Sequence, residues 1–138
     1  MHRLTSVDAQ ILLAIYCAGQ QNQADYTAIV SSLPEVFPPI PTHQECKTAY
    51  NKFLYIKFII ADGANTSLAP AAQQLVETAK PVSISSTSAQ AWVDAIATRL
   101  APYKCKSLCD RHEWQEAHYL QGLELLNTLK GDNNVNQN

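Results

Sequence analysis

Four of the eight residues from Pro34 to Pro41 are proline (Pro34, Pro38, Pro39 and Pro41), and this block sets the layout of the chain around it. Proline lacks a backbone N–H and its ring collides with the preceding turn, so no helix crosses the block. Helices before it must close by Leu33, and a new one must start after it. The block itself is expected to run extended, with Phe37 and Ile40 tucked against a core.

Helix-start signals stand on both sides. Thr5-Ser6-Val7-Asp8 pairs a capping hydroxyl with an acid three positions on, and Ile11, Leu12, Ile15 and Ala18 follow at helical spacing. Gly19 and the polar run Gln20-Gln21-Asn22-Gln23 end that helix. Asp25 caps a second, shorter one through Tyr26, Ile29, Val30 and Leu33. Beyond the prolines, Thr42-His43-Gln44-Glu45 is a full capping box, and the third helix it opens turns Cys46, Ala49, Phe53 and Leu54 inward.

Tyr55 to Ile60 is aromatic and β-branched, Asp62-Gly63 marks a turn, and Ser67-Leu68-Ala69 supplies a short return strand. Pro70 suits the first position of a fourth helix anchored by Leu75 and Val76. The predicted order is helix, helix, helix, hairpin, helix, a mainly α (α+β) fold with a small β-hairpin.

The polar stretch from Lys80 to Ser88 reads as a linker between a unit at 1–80 and a helical extension at 81–138. Trp92, Val93, Ile96 and Leu100 mark an amphipathic helix ended by Pro102. Asp110 to Glu113 repeats the cap-plus-acid pattern, and the long helix that follows carries Leu120, Leu123, Leu126 and Leu129 and ends at Gly131. Residues 132–138 read as a disordered tail. The leucine row and Trp114 need cover, either back on the first 80 residues or in a homodimer interface.

The stretch Lys57-Phe58-Ile59-Ile60-Ala61-Asp62-Gly63-Ala64-Asn65-Thr66-Ser67-Leu68-Ala69-Pro70-Ala71-Ala72 resembles the winged-helix group of the helix-turn-helix superfamily. There a third helix runs into an apolar strand, a Gly-containing turn, a strand ending in Leu and a small residue, and a last helix. The likeness is one of element order and covers about residues 5–80. It implies that the third helix would enter the major groove of double-stranded DNA. The helical period leaves His43, Gln44, Lys47, Thr48, Asn51 and Lys52 facing out, with Lys57 just before the wing. Gln and Asn are adenine-reading side chains, and Lys reaches guanine or phosphate.

Charge pulls the other way. The formal net charge is −2, and each side of Lys80 carries five cations against six anions. Any DNA surface must therefore be local. The connection from the second to the third helix is long, and the wing from Ala61 to Ser67 has no Lys or Arg to meet phosphate. Two readings stand: a small DNA-binding regulator of winged-helix type, or a protein-interaction module (adaptor, inhibitor or immunity-type) that has kept the fold without the DNA.

Cys109, His112 and Glu116 fall on one face if their segment is a continuous helix, and His112-Glu113-Trp114-Gln115-Glu116 resembles the metalloprotease motif H-E-x-x-H. Glu116 stands where the second imidazole is needed, so the residues favour a plain helix start with acids at the positive end of the dipole. A redox role for Cys105 or Cys109, beside Lys104, Lys106 and Arg111, is the remaining chemical reading. No phosphate-cradling glycine loop or nucleophile elbow is present, and the expectation is a non-enzyme without cofactor or metal. No apolar run approaches the ~20 residues of a membrane span, no secretory leader is evident, and a cytoplasmic protein is expected.

Overall fold

The computed structural model describes residues 2–21, 24–34, 40–63, 65–80, 88–105 and 115–135. Its elements are β1 (His2–Arg3), α1 (Ser6–Gln21), α2 (Tyr26–Ser31), α3 (His43–Tyr55), β2 (Ile59–Asp62), β3 (Asn65–Leu68), α4 (Pro70–Ala79), α5 (Ser88–Leu100), β4 (Lys104–Cys105) and α6 (Glu116–Val135). The fold is mainly α with a small antiparallel hairpin, as the pattern predicts. Among the described residues, no helix is long and apolar enough to cross a membrane.

The caps form as their chemistry requires. Asp25 Oδ1 accepts from the Ala28 N–H at 2.8 Å. Thr42 and Glu45 make the reciprocal capping box, with Glu45 N–H donating to Thr42 Oγ1 at 3.1 Å and Thr42 N–H to Glu45 Oε1 at 2.9 Å. At the start of α1, the Thr5 N–H donates to Asp8 Oδ2 at 2.6 Å. Each satisfies donors that the first turn of a helix leaves orphaned.

The middle of α1 is buried on all sides, Asp8 to Ile15 without interruption. A helix apolar all round needs neighbours all round. α2, α3 and α5 all pack on α1, and α5 brings Val93, Ile96 and Leu100 into the same core. The extension beyond Lys80 is thus packed on the first unit, and β1 pairs with β4 with Arg3 opposite Lys104. α6 lies on α2. Its Gly122 permits the approach, since a Cβ there would sit 2.5 Å from Val30 Cβ and 2.9 Å from the Thr27 carbonyl oxygen.

β2 and β3 pair in register from Ile59↔Leu68 to Asp62↔Asn65. Gly63 opens the two-residue loop at φ +62°, the left-handed value that such hairpins require. On the far side of β3, the Thr66 N–H donates to the Ala24 carbonyl at 2.9 Å, which ties the α1–α2 connection to the hairpin as a third line.

Three expectations change. The aromatic run at Tyr55 starts no strand, because α3 continues to Tyr55 and ends in a Schellman turn. There Phe58 N–H donates to Phe53 O (2.9 Å), Lys57 N–H donates to Leu54 O (3.2 Å), and the Phe58 and Phe53 rings stack at 6.2 Å. Second, α6 runs through Gly131 to Val135, into the tail expected to be disordered. Glycine costs a helix only ~1 kcal/mol and does not stop it unaided. Third, the leucine row is not one buried stripe. Leu123 and Leu126 are half-buried while Leu120 is 55% exposed. Steps of three residues drift around a 3.6-residue helix; His118 and Gly122 meet α2, Tyr119 meets His43 and Pro41, and Leu123 and Leu126 pack against the core. Trp114, Phe37 and the linker residues 81–87 lie outside the described residues, as do 136–138 and the side chain of Leu129.

Candidate interaction surface around the third helix

α3 is the element on which the sequence places a reading surface, and its seven candidate residues have different fates. Gln44 and Lys57 are exposed; His43, Lys47 and Thr48 are half-buried. Gln44 Nε2 is 3.4 Å from Thr48 Oγ1, one turn along the same face. The remaining two do not face outward as expected.

Lys52 is drawn inward by a carboxylate two elements earlier, on α1. Its ammonium donates to Asp8 Oδ2 at 3.1 Å and to the Arg3 carbonyl at 3.0 Å, and its side chain is 12% exposed. Asp8 is buried, and the same Oδ2 takes the Thr5 amide and hydroxyl. Removing these charges from water is costly unless they are paired and hydrogen-bonded, and here they are. Lys52 thereby fastens the last turns of α3 to the first turn of α1.

Asn51 lies almost opposite the stripe of Cys46, Ala49 and Phe53, yet it is 3% exposed. Its Nδ2 donates back to the Lys47 carbonyl one turn earlier, at 2.9 Å. The outward side of α3 is therefore not open at its middle. At its N-terminal end, the His43 ring lies 5.6 Å from that of Tyr119, whose hydroxyl donates to the Pro41 carbonyl at 2.8 Å. Burial raises the Tyr119 hydroxyl above its usual range, which keeps it a donor. The Nδ1 atoms of His43 and His118 are both buried without a hydrogen-bond partner along this seam.

No family model, curated protein or solved structure matches this chain. The surface has to be judged on its own chemistry.

The described residues bound that chemistry. They contain no group of three His, Cys, Asp or Glu placed to hold a metal ion. Glu116 is exposed in the first turn of α6, whereas Cys109 and His112 lie outside the described residues, as does the side chain of Cys105. The two described thiols are free but shielded. Burial pushes Cys46 up to about 12, with Glu45 adding to the effect, and raises Cys17 against the pull of Lys80. A thiol so protonated is a poor nucleophile.

Several residues that shape this region escape the sequence reading. Tyr50 is buried in α3, its ring edge-on to Tyr26 at 5.3 Å and its oxygen 2.6 Å from Thr66 Oγ1. It joins α2, α3 and the hairpin, and only its aromatic character at a position one turn from Cys46 and Phe53 would have flagged it. Tyr103 meets Phe58 edge-on at 4.9 Å and remains 41% exposed. A cleft of about 350 Å³ between α1, the hairpin and α4 is lined by Tyr16, Gln20, Asp62, Asn65 and Gln73 among others, mostly neutral polar groups. Nothing in that lining forms a nucleophile–base pair.

Proposed function

We propose that this chain is a protein-interaction module with a winged-helix arrangement, not a reader of the DNA major groove. The helix–helix–helix–hairpin–helix order, with Ala24 bridged to β3, supports the winged-helix reading. The observation that carries the functional half is the state of α3. Its best adenine reader, Asn51, is buried, and one of its two lysines, Lys52, is neutralised by Asp8. Groove recognition needs side chains free to reach base edges and cations free to meet phosphate. The hairpin adds none, since its described tip residues are Asp62, Gly63 and Asn65. A reducing, cytoplasmic setting belongs to this reading, and the unpaired thiols of Cys17 and Cys46 suit it.

The test is fluorescence anisotropy of the whole chain against a labelled mixed-sequence duplex at ~50 mM salt, followed by a salt titration. The expected result is no saturable binding at the lowest salt. Binding that falls steeply with salt and is abolished by Lys47→Glu would overturn the proposal and return α3 to DNA.

A further inference from the structure

The cleft of about 350 Å³ between α1, the hairpin and α4 takes no part in the reading of α3. Its α1 wall holds Ile15 and Gly19, one turn apart, and beside them Tyr16 and Gln20, also one turn apart. β3 lines it from Asn65 to Leu68, Asp62 stands across the strand pair, and Gln73 reaches it from α4.

The polar side chains that meet there are not spent on one another. Among the described residues, those of Gln20, Asp62, Asn65, Ser67 and Gln73 make no hydrogen bond or ion pair. Asp62 and Asn65 are register partners, so their side chains share one face of the hairpin, about 5 Å apart at Cβ. Gly19 adds a second observation. Glycine weakens a helix, yet this one lies within α1, has no left-handed φ, and would bring an added Cβ within 4 Å of nothing. Neither backbone geometry nor packing asks for it, and the room a side chain would take is left open in the wall of the cleft.

We infer that this cleft binds a small uncharged polyhydroxylated ring, as a free sugar or as the ribose of a nucleoside. Neither the lining nor any residue next to it in sequence is Lys or Arg, and Asp62 is a carboxylate, so an anionic ligand is disfavoured. An ammonium only donates, and would leave the amide N–H groups of Gln20, Asn65 and Gln73 unused. Hydroxyls both donate and accept, as those amides and Ser67 do, and the Asp62–Asn65 pair is spaced to hold two neighbouring ones. Ile15, Leu68 and the Tyr16 ring, whose hydroxyl is 3.3 Å from Glu77 Oε2, offer apolar ground for the C–H side of the ring. The volume is near the small end of ligand pockets (~300–1,000 Å³), which suits one or two rings and not a longer oligomer.

The experiment is a titration of the isotope-labelled full chain, followed by amide chemical shifts. The probes are glucose, ribose, adenosine and uridine, each to about 10 mM, a level that fills even a site of about 1 mM affinity. AMP and putrescine serve as the anionic and cationic counterparts. At least one neutral probe should bind saturably, moving the amides of Asp62, Asn65, Ser67 and Gln73. Binding by glucose or ribose alone assigns the site to a free sugar, and tighter binding of a nucleoside assigns it to that class. Asp62→Ala should lower the affinity by about tenfold, as expected for losing one charge-assisted hydrogen bond. Gly19→Leu should raise the unfolding midpoint by a few degrees while abolishing binding, a combination that a merely structural glycine would not give.

No saturable shift with any neutral probe overturns the inference. So does tighter binding of AMP or putrescine than of every neutral probe, or an affinity unchanged in Asp62→Ala or Gly19→Leu. Each of these failures leaves the reading of α3 untouched, since that rests on duplex binding and not on this cleft.

Discussion

Replacing Lys52 with Met separates the two roles open to that residue. A lysine waiting for phosphate lies in solvent, and its loss changes stability by less than about 0.5 kcal/mol. Lys52 instead meets Asp8 Oδ2 at 3.1 Å and the Arg3 carbonyl at 3.0 Å with both charged side chains largely out of water. Removing one partner of a buried pair costs about 3–5 kcal/mol, because the other charge stays buried. Asp8 would retain the Thr5 amide and hydroxyl, and Lys52 keeps a little solvent contact, so the low end applies, about 3 kcal/mol. For a chain of this size that lowers the midpoint by roughly 10 °C. Urea unfolding followed by circular dichroism measures it, with the exposed Gln44→Met as the control. The cycle with Asp8→Asn should return a coupling of about 1–3 kcal/mol. A Lys52→Met protein as stable as the control would refute the argument, and with it the claim that this α3 lysine is structurally committed.

Two further outcomes follow from the packing and the thiols. Gly122→Ala places a methyl within 2.9 Å of the Thr27 backbone oxygen, which cannot rotate away. The ~1 kcal/mol gained in helix propensity should be outweighed by overpacking of about 1–3 kcal/mol. Urea unfolding should therefore show net destabilisation, larger for Gly122→Val. With Cys46 held near 12 in the fold against an ordinary 9.0, the unfolded chain releases its proton first. Stability is then fully present below pH 9 and falls as pH rises from 9 toward 12, by up to about 1.4 kcal/mol per unit. Cys46→Ala should flatten the onset of that loss in unfolding midpoints measured between pH 8 and about 10, before the tyrosines dominate.

The elements were legible wherever the signal is local. Proline at 70, the Thr42–Glu45 box, Asp25 and Asp62-Gly63 act through their own turn of chain, and each does in the structure what its chemistry demands. What could not be read is what a distant segment does to a face. Leu13 and Ala14 gave no reason to be called core until α5 lies across α1. Lys52 and Asn51 have the residue types of a solvated helix face, and Asp8 lies too far away in sequence for its pairing with Lys52 to be foreseen. The strands β1 and β4 are two residues each, too short for any alternation to announce them.

The same distant packing bears on the leucines. If the row at Leu120, Leu123, Leu126 and Leu129 were a dimer seam, its exposed members would line up along α6. Leu123 and Leu126 are instead half-buried in the core cluster, and the large exposed apolar side chains described on α6 are Leu120 and Leu125. Five residues along an α-helix is about 140° around it, so these two leucines sit on different sides. A two-helix seam needs apolar positions recurring on one side every three and four residues. Covering α2 has used that side already, through Gly122. Among the described residues, the hairpin edge at Ile60 offers exposed apolar area that α6 does not present as a stripe.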